Sequence, residues 1–300
     1  MKYGVLILAL IAIYIVYINI PNIKQYQSNY AVVTGATGGI GQEIVKKLIT
    51  SQNVIAISEN LDNLSKLQQK YQKSEYKVLI FQYDLSNTKT FIQQFDEFLL
   101  QNSIDKRLIG MFFSNAGFGN FKPFHSYSFH QLQQFVSVNM YSHIILTAYF
   151  QELFSVHRST QKSAIILTSS ILSHTCGSHF SLYHICKSTI SYFGSSIKNE
   201  NKYIHVLTVH PSPVKQTEFY KNNGMQNLQN IKVPLMRNME KSWFAITPKK
   251  VVNVMISRIG KVGSTNIGIA CIIADYGKLV GRNIQGYIWS FMWWVGQAFQ

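Results

Sequence analysis

Three hundred residues suffice for one large domain or two small ones with a substantial core, and neither an internal repeat nor a Pro/Gly/Ser-rich linker divides the chain. Lysine and arginine outnumber aspartate and glutamate by 28 to 13, and the net charge of +15 suits an anionic neighbour: nucleic acid, a membrane surface or a phosphorylated ligand. The basic residues are scattered and accompany no zinc-finger or RNA-recognition signature, so nucleic acid is the weakest of the three. Cys176, Cys186 and Cys271 show no CxxC spacing and cannot form a disulfide framework, which fits a reduced compartment and ordinary packing.

The chain opens on GVLILALIAIYIVYINI, Gly4 to Ile20, with no charge and one strongly polar residue, Asn19. As a helix this run would be about 26 Å long at ~1.5 Å per residue, short for an average bilayer and adequate for a thin one. It ends Tyr-Ile-Asn-Ile-Pro, without the small residues of a cleavage site. An uncleaved single-pass membrane anchor over residues 1–21 is therefore expected ahead of a cleaved signal or a buried helix. Lys2 and Lys24 flank the run and leave its orientation open.

From Tyr30 the pattern alternates. The β-branched runs YAVVT, NVIAIS, YKVLIF, LIGMFFS, SAIILTS and IHVLTV are separated by stretches of helical period at 40–51, 61–72, 88–101, 130–157 and 181–198. Apolar runs without alternation suit strands covered on both faces. The expectation is an α/β domain with a doubly wound parallel sheet of Rossmann type over 22–275. Thr247-Pro248 reads as an N-cap and N1 proline opening a helix at 248–260. The segment 215–246, with polar NNGMQNLQN and apolar WFAI, is the expected substrate lid. The tail 276–300 contains YIWSFMWWVGQAF, either a docked core segment or an interfacial helix on a membrane.

VVTGATGGIG, residues 32–41, places glycines where a strand ends and a helix begins. A helix N-terminus offers unpaired N–H groups and partial positive charge, and glycines let a pyrophosphate approach them. The spacing is T-G-x-x-x-G-x-G through Thr34, Gly35, Gly39 and Gly41, wider than the common GxGxxG. Later, Tyr183 and Lys187 stand four apart at the start of an expected helix, the one Tyr-x-x-x-Lys pair in the chain. Positions i and i+4 share a face, so phenol and ammonium can converge. Reducing a carbonyl by hydride transfer leaves an alkoxide that needs a proton. A tyrosine can supply it, and a nearby cation lowers its pKa from ~10 toward neutrality.

Together these motifs resemble the short-chain dehydrogenase/reductase family over about Tyr30 to Thr217. YDL at 83–85, NAG at 115–117, VN at 138–139 and HPSPV at 210–214 fall in the family's order, with Ser212 standing where the family has glycine. The resemblance implies catalytic roles for Asn139 (a water-linked proton relay), Ser170 (polarising the carbonyl), Tyr183 (proton donor) and Lys187 (also holding the nicotinamide ribose). It implies cofactor contacts at Thr34, Gly35, Gly39, Ile40, Gly41, Asp84, Asn115, Ala116, Gly117, Tyr183, Lys187 and Pro211. Ser169 would point the other way from Ser170 if the strand continues.

Glu59, about 20 residues past the glycines, has the position of a carboxylate on the ribose 2′-OH, and the loop has Gly38 where NADP-preferring relatives often carry arginine. NAD(H) is favoured over NADP(H), though Glu59 could instead be solvated beside an Asn60 cap, and Lys66 could fold back.

An anchor before this domain resembles the microsomal hydroxysteroid dehydrogenase and 3-ketoacyl-CoA reductase branch. The expectation is an endoplasmic-reticulum membrane oxidoreductase acting on the hydroxyl/keto pair of a lipid-like substrate, with no metal. The rival is a non-catalytic nucleotide-binding scaffold or sensor at a membrane. A third reading, a secreted or lumenal protein, would show as glycosylation of Asn63 in NLS. A homodimer is a further expectation.

Overall fold

The computed structural model describes residues 2–20, 23–26, 29–156, 162–175, 179–215, 217 and 244–268. The expected lid within 218–243, the tail 276–300, Cys176 and Cys271 lie outside them.

Seven strands form one sheet: β1 (Tyr30–Thr34), β2 (Asn53–Ser58), β3 (Val78–Gln82), β4 (Ile109–Ser114), β5 (Ser163–Thr168), β6 (Ile204–Pro211) and β7 (Ser264–Ile267). Their order is β3-β2-β1-β4-β5-β6-β7 and every pairing is parallel. β4 and β5 are buried at every residue, which is why their sequences are unbroken apolar runs. β7 was not foreseen: Ser264, Thr265 and Asn266 lack an apolar run because the strand is short and lies at the sheet edge.

The helices are α1 (Lys2–Asn19), α2 (Gly39–Leu48), α3 (Leu61–Lys70), α4 (Phe91–Gln101), α5 (Phe129–Val136), α6 (Ser142–Val156), α7 (Ser181–Glu200) and α8 (Pro248–Arg258). One sheet face, with Ala31, Val33, Val54 and Ala56, buries Ile44 and Leu48 of α2, Leu64 of α3 and Met255 of α8. The other, with Val32, Ile55, Phe112 and Ile165, buries Phe91 and Phe95 of α4, Phe150 and Phe154 of α6 and Ile190 of α7. Phe112 and Phe150 stack with centroids 4.1 Å apart. Consecutive crossovers run one way from β1 to β3 and the other way from β4 to β7. The crevice between β1 and β4 therefore opens at the strands' C-terminal ends, where such sheets bind ligands.

Local signals set the helix ends. Asn60 accepts from the Asn63 N–H at 2.8 Å, Ser128 and Gln131 form a reciprocal capping box, and Thr247 caps α8 with Pro248 at N1. The single helix expected over 130–157 is instead α5 and α6 joined by a π turn, Ser137–Tyr141.

The hydrophobic opening is helical, but the membrane-crossing span expected of it is not met. α1 has 18 residues, and among the described residues no helix is long and apolar enough to cross a membrane. From Leu10 to Tyr17, every apolar side chain larger than alanine is 48% to 64% exposed, so no face of this stretch packs on the protein. Its end is held: Lys261 Nζ donates to the Tyr17 carbonyl at 2.6 Å and to that of Ile20, and Arg258 Nη2 reaches Asn19 Oδ1 at 3.5 Å. Tyr26 then plugs in beneath β6, fully buried, with its hydroxyl on His205 Nδ1. Just past the other end of β6, Lys215 N–H to Ile246 O (2.8 Å) and Ile246 N–H to Pro213 O (2.9 Å) close the base of the expected lid.

Candidate active site

A cavity of about 550 Å³ occupies the crevice. Its floor is the glycine loop. Gly35 has φ +61°, and a Cβ there would sit 2.8 Å from the Ala116 Cα, so both conformation and close approach demand glycine. Gly38, the N-cap of α2, provides no side-chain cap, which leaves the first N–H groups of α2 to whatever enters beside Gly38, Gly39 and Ile40. Thr34 and Gly41 do not line the cavity; both stand behind the loop. Thr34 is buried and its Oγ1 accepts from the N–H of Asn115 (2.9 Å) and Ala116 (3.1 Å), while a side chain at Gly41 would overlap the Gly35 carbonyl.

Along one wall, Thr37 Oγ1 meets Ser58 Oγ at 2.8 Å, tying the loop to the end of β2. Glu59 is exposed on the cavity lining, followed by Asn60 and Asn63. Asp84 also lines it, its carboxylate accepting from Ser86 N–H at 2.8 Å and Ser86 Oγ at 2.7 Å. Among the described lining residues Lys187 is the sole cation, against the carboxylates of Glu59 and Asp84.

At the inner end α7 brings Tyr183 and Lys187 to one face, with Nζ 5.7 Å from the phenol ring centre. Lys187 Nζ donates to the Thr168 carbonyl at 3.0 Å. Burial pushes this ammonium down to about 8, so it sheds its proton far more readily than an exposed lysine. Ser170 and Ser169 diverge as alternation requires: Ser170 Oγ accepts from Leu172 N–H at 3.2 Å, and Ser169 Oγ donates to the Lys187 carbonyl at 2.7 Å. Asn139 sits in the π turn, fully buried and off the cavity surface. Its Nδ2 donates to Phe135 O and its Oδ1 accepts from Phe118 N–H, both at 3.1 Å. Asn139 and Lys187 converge at Gly117, where a Cβ would lie 2.9 Å from Asn139 Oδ1 and 3.4 Å from Lys187 Nζ. Asn115, Ala116, Ser170, Tyr183 and Pro211 complete that end of the lining.

Two groups of residues were not read from the sequence. His143, one turn beyond Asn139, is buried behind the Asn115–Gly117 turn: Nε2 donates to Ala116 O and Nδ1 accepts from Ser114 Oγ, both at 2.8 Å. Burial first, and then the Lys187 charge, lower its pKa to about 3 and keep it neutral. The second group is an apolar wall of Phe118, Phe121, Val138, Ile171, Leu172 and Phe180 around Tyr183, with Gln134 beside it. Phe121 meets Tyr183 edge-on at 5.9 Å and Phe180 at 4.5 Å. The phenylalanines of NAGFGNF, Phe118 and Phe121, three residues apart in the loop after β4, are the available signal.

The residues suit a nicotinamide dinucleotide: a glycine floor that a Cβ would obstruct, an uncapped helix start for the pyrophosphate, carboxylates for ribose hydroxyls and a Tyr/Lys pair at the inner end. The short chain dehydrogenase family model matches residues 29–227. No curated protein matches the chain. Among solved structures it is similar to a 7beta-hydroxysteroid dehydrogenase, at 16% identity and TM-score 0.69 over 86% of this chain and 93% of that one. It is also similar to a serine dehydrogenase complexed with NADP+, at 18% identity and TM-score 0.66 over 80% and 94% of the two chains. A 4-hydroxyisoleucine dehydrogenase complexed with NADH and succinate matches at 20% identity and TM-score 0.63 over 79% and 96%. At such identities the likeness is one of fold; the family rests on the match across two thirds of the chain. This chain belongs to the short-chain dehydrogenase/reductase family and is an NAD(P)-dependent oxidoreductase.

Proposed function

We propose that the protein interconverts a hydroxyl and a ketone on an uncharged, lipid-like molecule, with NAD(H) as the preferred partner, while attached to a membrane through α1. The observation that carries this reading is the inner end of the cavity. Tyr183 stands against an apolar, largely aromatic wall that bears no charged side chain among the described residues, with Lys187 on its far side. Such a wall gains from burying hydrocarbon and would strand a carboxylate without a partner. A fatty acyl chain or a steroid fits it, in keeping with the hydroxysteroid dehydrogenase and 3-ketoacyl-CoA reductase branch.

The bound nicotinamide supplies or accepts the hydride. The loop Gly35–Ile40, Asn115–Gly117 and Pro211 hold the dinucleotide, with Asp84 toward its adenine. Glu59 accepts from the ribose hydroxyls, and the lack of a second lining cation among the described residues disfavours a 2′-phosphate. Ser170 Oγ orients the substrate oxygen, Tyr183 gives or takes its proton, and the Lys187 charge favours the phenolate. Asn139 keeps the Phe118 end of the wall in place and links the proton path to Lys187 through water.

Attachment follows from the unpacked apolar surface of α1, which water does not favour. An endoplasmic-reticulum membrane is part of this reading.

Tyr183→Phe keeps the ring and removes the proton. Turnover of NADH with a panel of neutral ketones should fall at least ~100-fold with cofactor affinity near normal. Unchanged turnover would remove Tyr183 from the chemistry. Cofactor binding without turnover of any panel member by the unsubstituted protein would instead favour the nucleotide-binding scaffold.

A further inference from the structure

Where α1 meets α8, we propose a binding site for the phosphate of an anionic phospholipid headgroup, an inference that rests on the attachment of α1 to a membrane. Arg258 ends α8. Its Nη2 makes the long contact to Asn19, while Nε and Nη1 are buried and have no hydrogen-bond partner. A guanidinium carries five donors in a planar fork matched to phosphate, and leaving two buried nitrogens unsatisfied is unfavourable unless something else meets them.

Three more cations surround the same loop. Lys261 holds the end of α1, Lys162 Nζ reaches Gln25 Oε1 at 3.2 Å, and Gln25 itself lies against Gly260. The Lys198 stem runs beside Gly263, whose Cβ would fall 2.8 Å from Lys198 Cε. The ion pairs among the described residues are Lys46–Glu43, Lys106–Asp96 and Arg107–Asp105, so none of these four cations is neutralised by a carboxylate. The Lys261 ammonium is lowered by burial and then by the Arg258 charge, as expected of cations gathered without a counter-ion. Two of the carbonyls at this corner, those of Tyr17 and Ile20, which would repel an anion, are taken by Lys261.

The position selects a lipid over free phosphate. The cluster sits at the foot of a helix whose larger side chains from Leu10 to Tyr17 are apolar and exposed, so a headgroup held by Arg258 would lay its acyl chains along that stretch.

The test is flotation of the full chain with vesicles of phosphatidylcholine, with and without phosphatidic acid, at matched salt. The unsubstituted protein should favour the anionic vesicles. Arg258→Gln with Lys261→Gln should lower that preference on the order of tenfold while binding to neutral vesicles remains. Lys46→Gln with Lys89→Gln, the same charge change elsewhere, should leave it intact. Lys162→Gln with Lys198→Gln changes two exposed side chains that do not touch α1 and should give a partial loss, which covers the case in which the first pair fails to fold. Equal binding to both vesicles, or equal losses for the site and remote pairs, would overturn the headgroup site and leave the attachment standing. No binding to either vesicle would overturn both. Inorganic phosphate raising thermal stability as much as phosphatidic acid in micelles would overturn the lipid as the source.

Discussion

His143 secures Ala116 from behind: its Nε2–H donates to the Ala116 carbonyl at 2.8 Å, opposite the side on which Thr34 takes the Ala116 N–H. The turn against which the nicotinamide end of the cofactor would lie is thus gripped by β1 and α6 together. His143→Phe would leave the Ala116 carbonyl and the Ser114 hydroxyl buried without partners, at about 1–3 kcal/mol each. The expected result is a lower melting temperature and a raised KM for NAD(H). His143→Gln, which can restore one bond, should recover part of both.

The same residue makes the fold sensitive to acid. The unfolded chain protonates this imidazole near 6.5, the folded one only at about 3. Between those values the unfolded state binds more protons, so the His143 contribution to stability falls as pH drops through the window and is constant above it. Urea titrations from pH 7 to pH 4 should show this slope, and His143→Gln should flatten it.

Lys187 acts in the opposite range. Its folded pKa of about 8 lies below the ordinary 10.5, so the unfolded state holds the extra proton between them. Without cofactor, stability should rise as pH climbs from 8 to 10.5, by roughly 3 kcal/mol at most. Lys187→Met should stabilise the protein near pH 7, remove that rise and abolish turnover. A flat wild-type profile would mean that the ammonium is better solvated than its surroundings suggest.

Glu59→Arg replaces the exposed carboxylate on the cavity lining with a cation where a 2′-phosphate would lie. The ratio of NADP(H) to NAD(H) affinity, measured by fluorescence titration, should shift toward NADP(H) by tenfold or more, since one charge reversal near a phosphate is worth ~1–4 kcal/mol. No shift would place Glu59 in solvent.

Gly41→Ala tests the floor. Its Cβ would overlap the Gly35 carbonyl and press on the Ala36 backbone at 2.8 Å, so the loop must move. Cofactor affinity should fall more than stability does. Equal losses would mean that Gly41 serves packing alone.

The strands with apolar runs were legible because burial on both faces writes itself into composition; β1, β2 and the start of β5 fall where YAVVT, NVIAIS and SAIILT end and begin. β7 was not legible, since edge pairing to β6 needs only backbone groups. The glycine floor and the Tyr183/Lys187 pair could be read from spacing. His143 could not: a histidine in a helix reads as packing or as a surface group, and its partners Ser114 and Ala116 are distant in sequence. Thr34, Gly41 and Asn139 belong to the motifs yet stand one layer behind the cavity surface, because a motif records what shapes a loop as well as what touches its ligand.

The π turn at Ser137–Tyr141 makes α5 and α6 two shafts joined out of phase. One residue more than an α turn rotates everything beyond it by about 100°. Gln134 and Val138 are indexed to the cavity, while Phe150 and Phe154 are indexed to the sheet. Closing 137–141 into a regular α turn without removing a residue would re-phase the joint, turning either the cavity face of α5 or the Phe150 stack on Phe112 out of place. Point substitutions elsewhere could not restore it, so the length of this joint is as much a specification of the enzyme as the identity of its side chains.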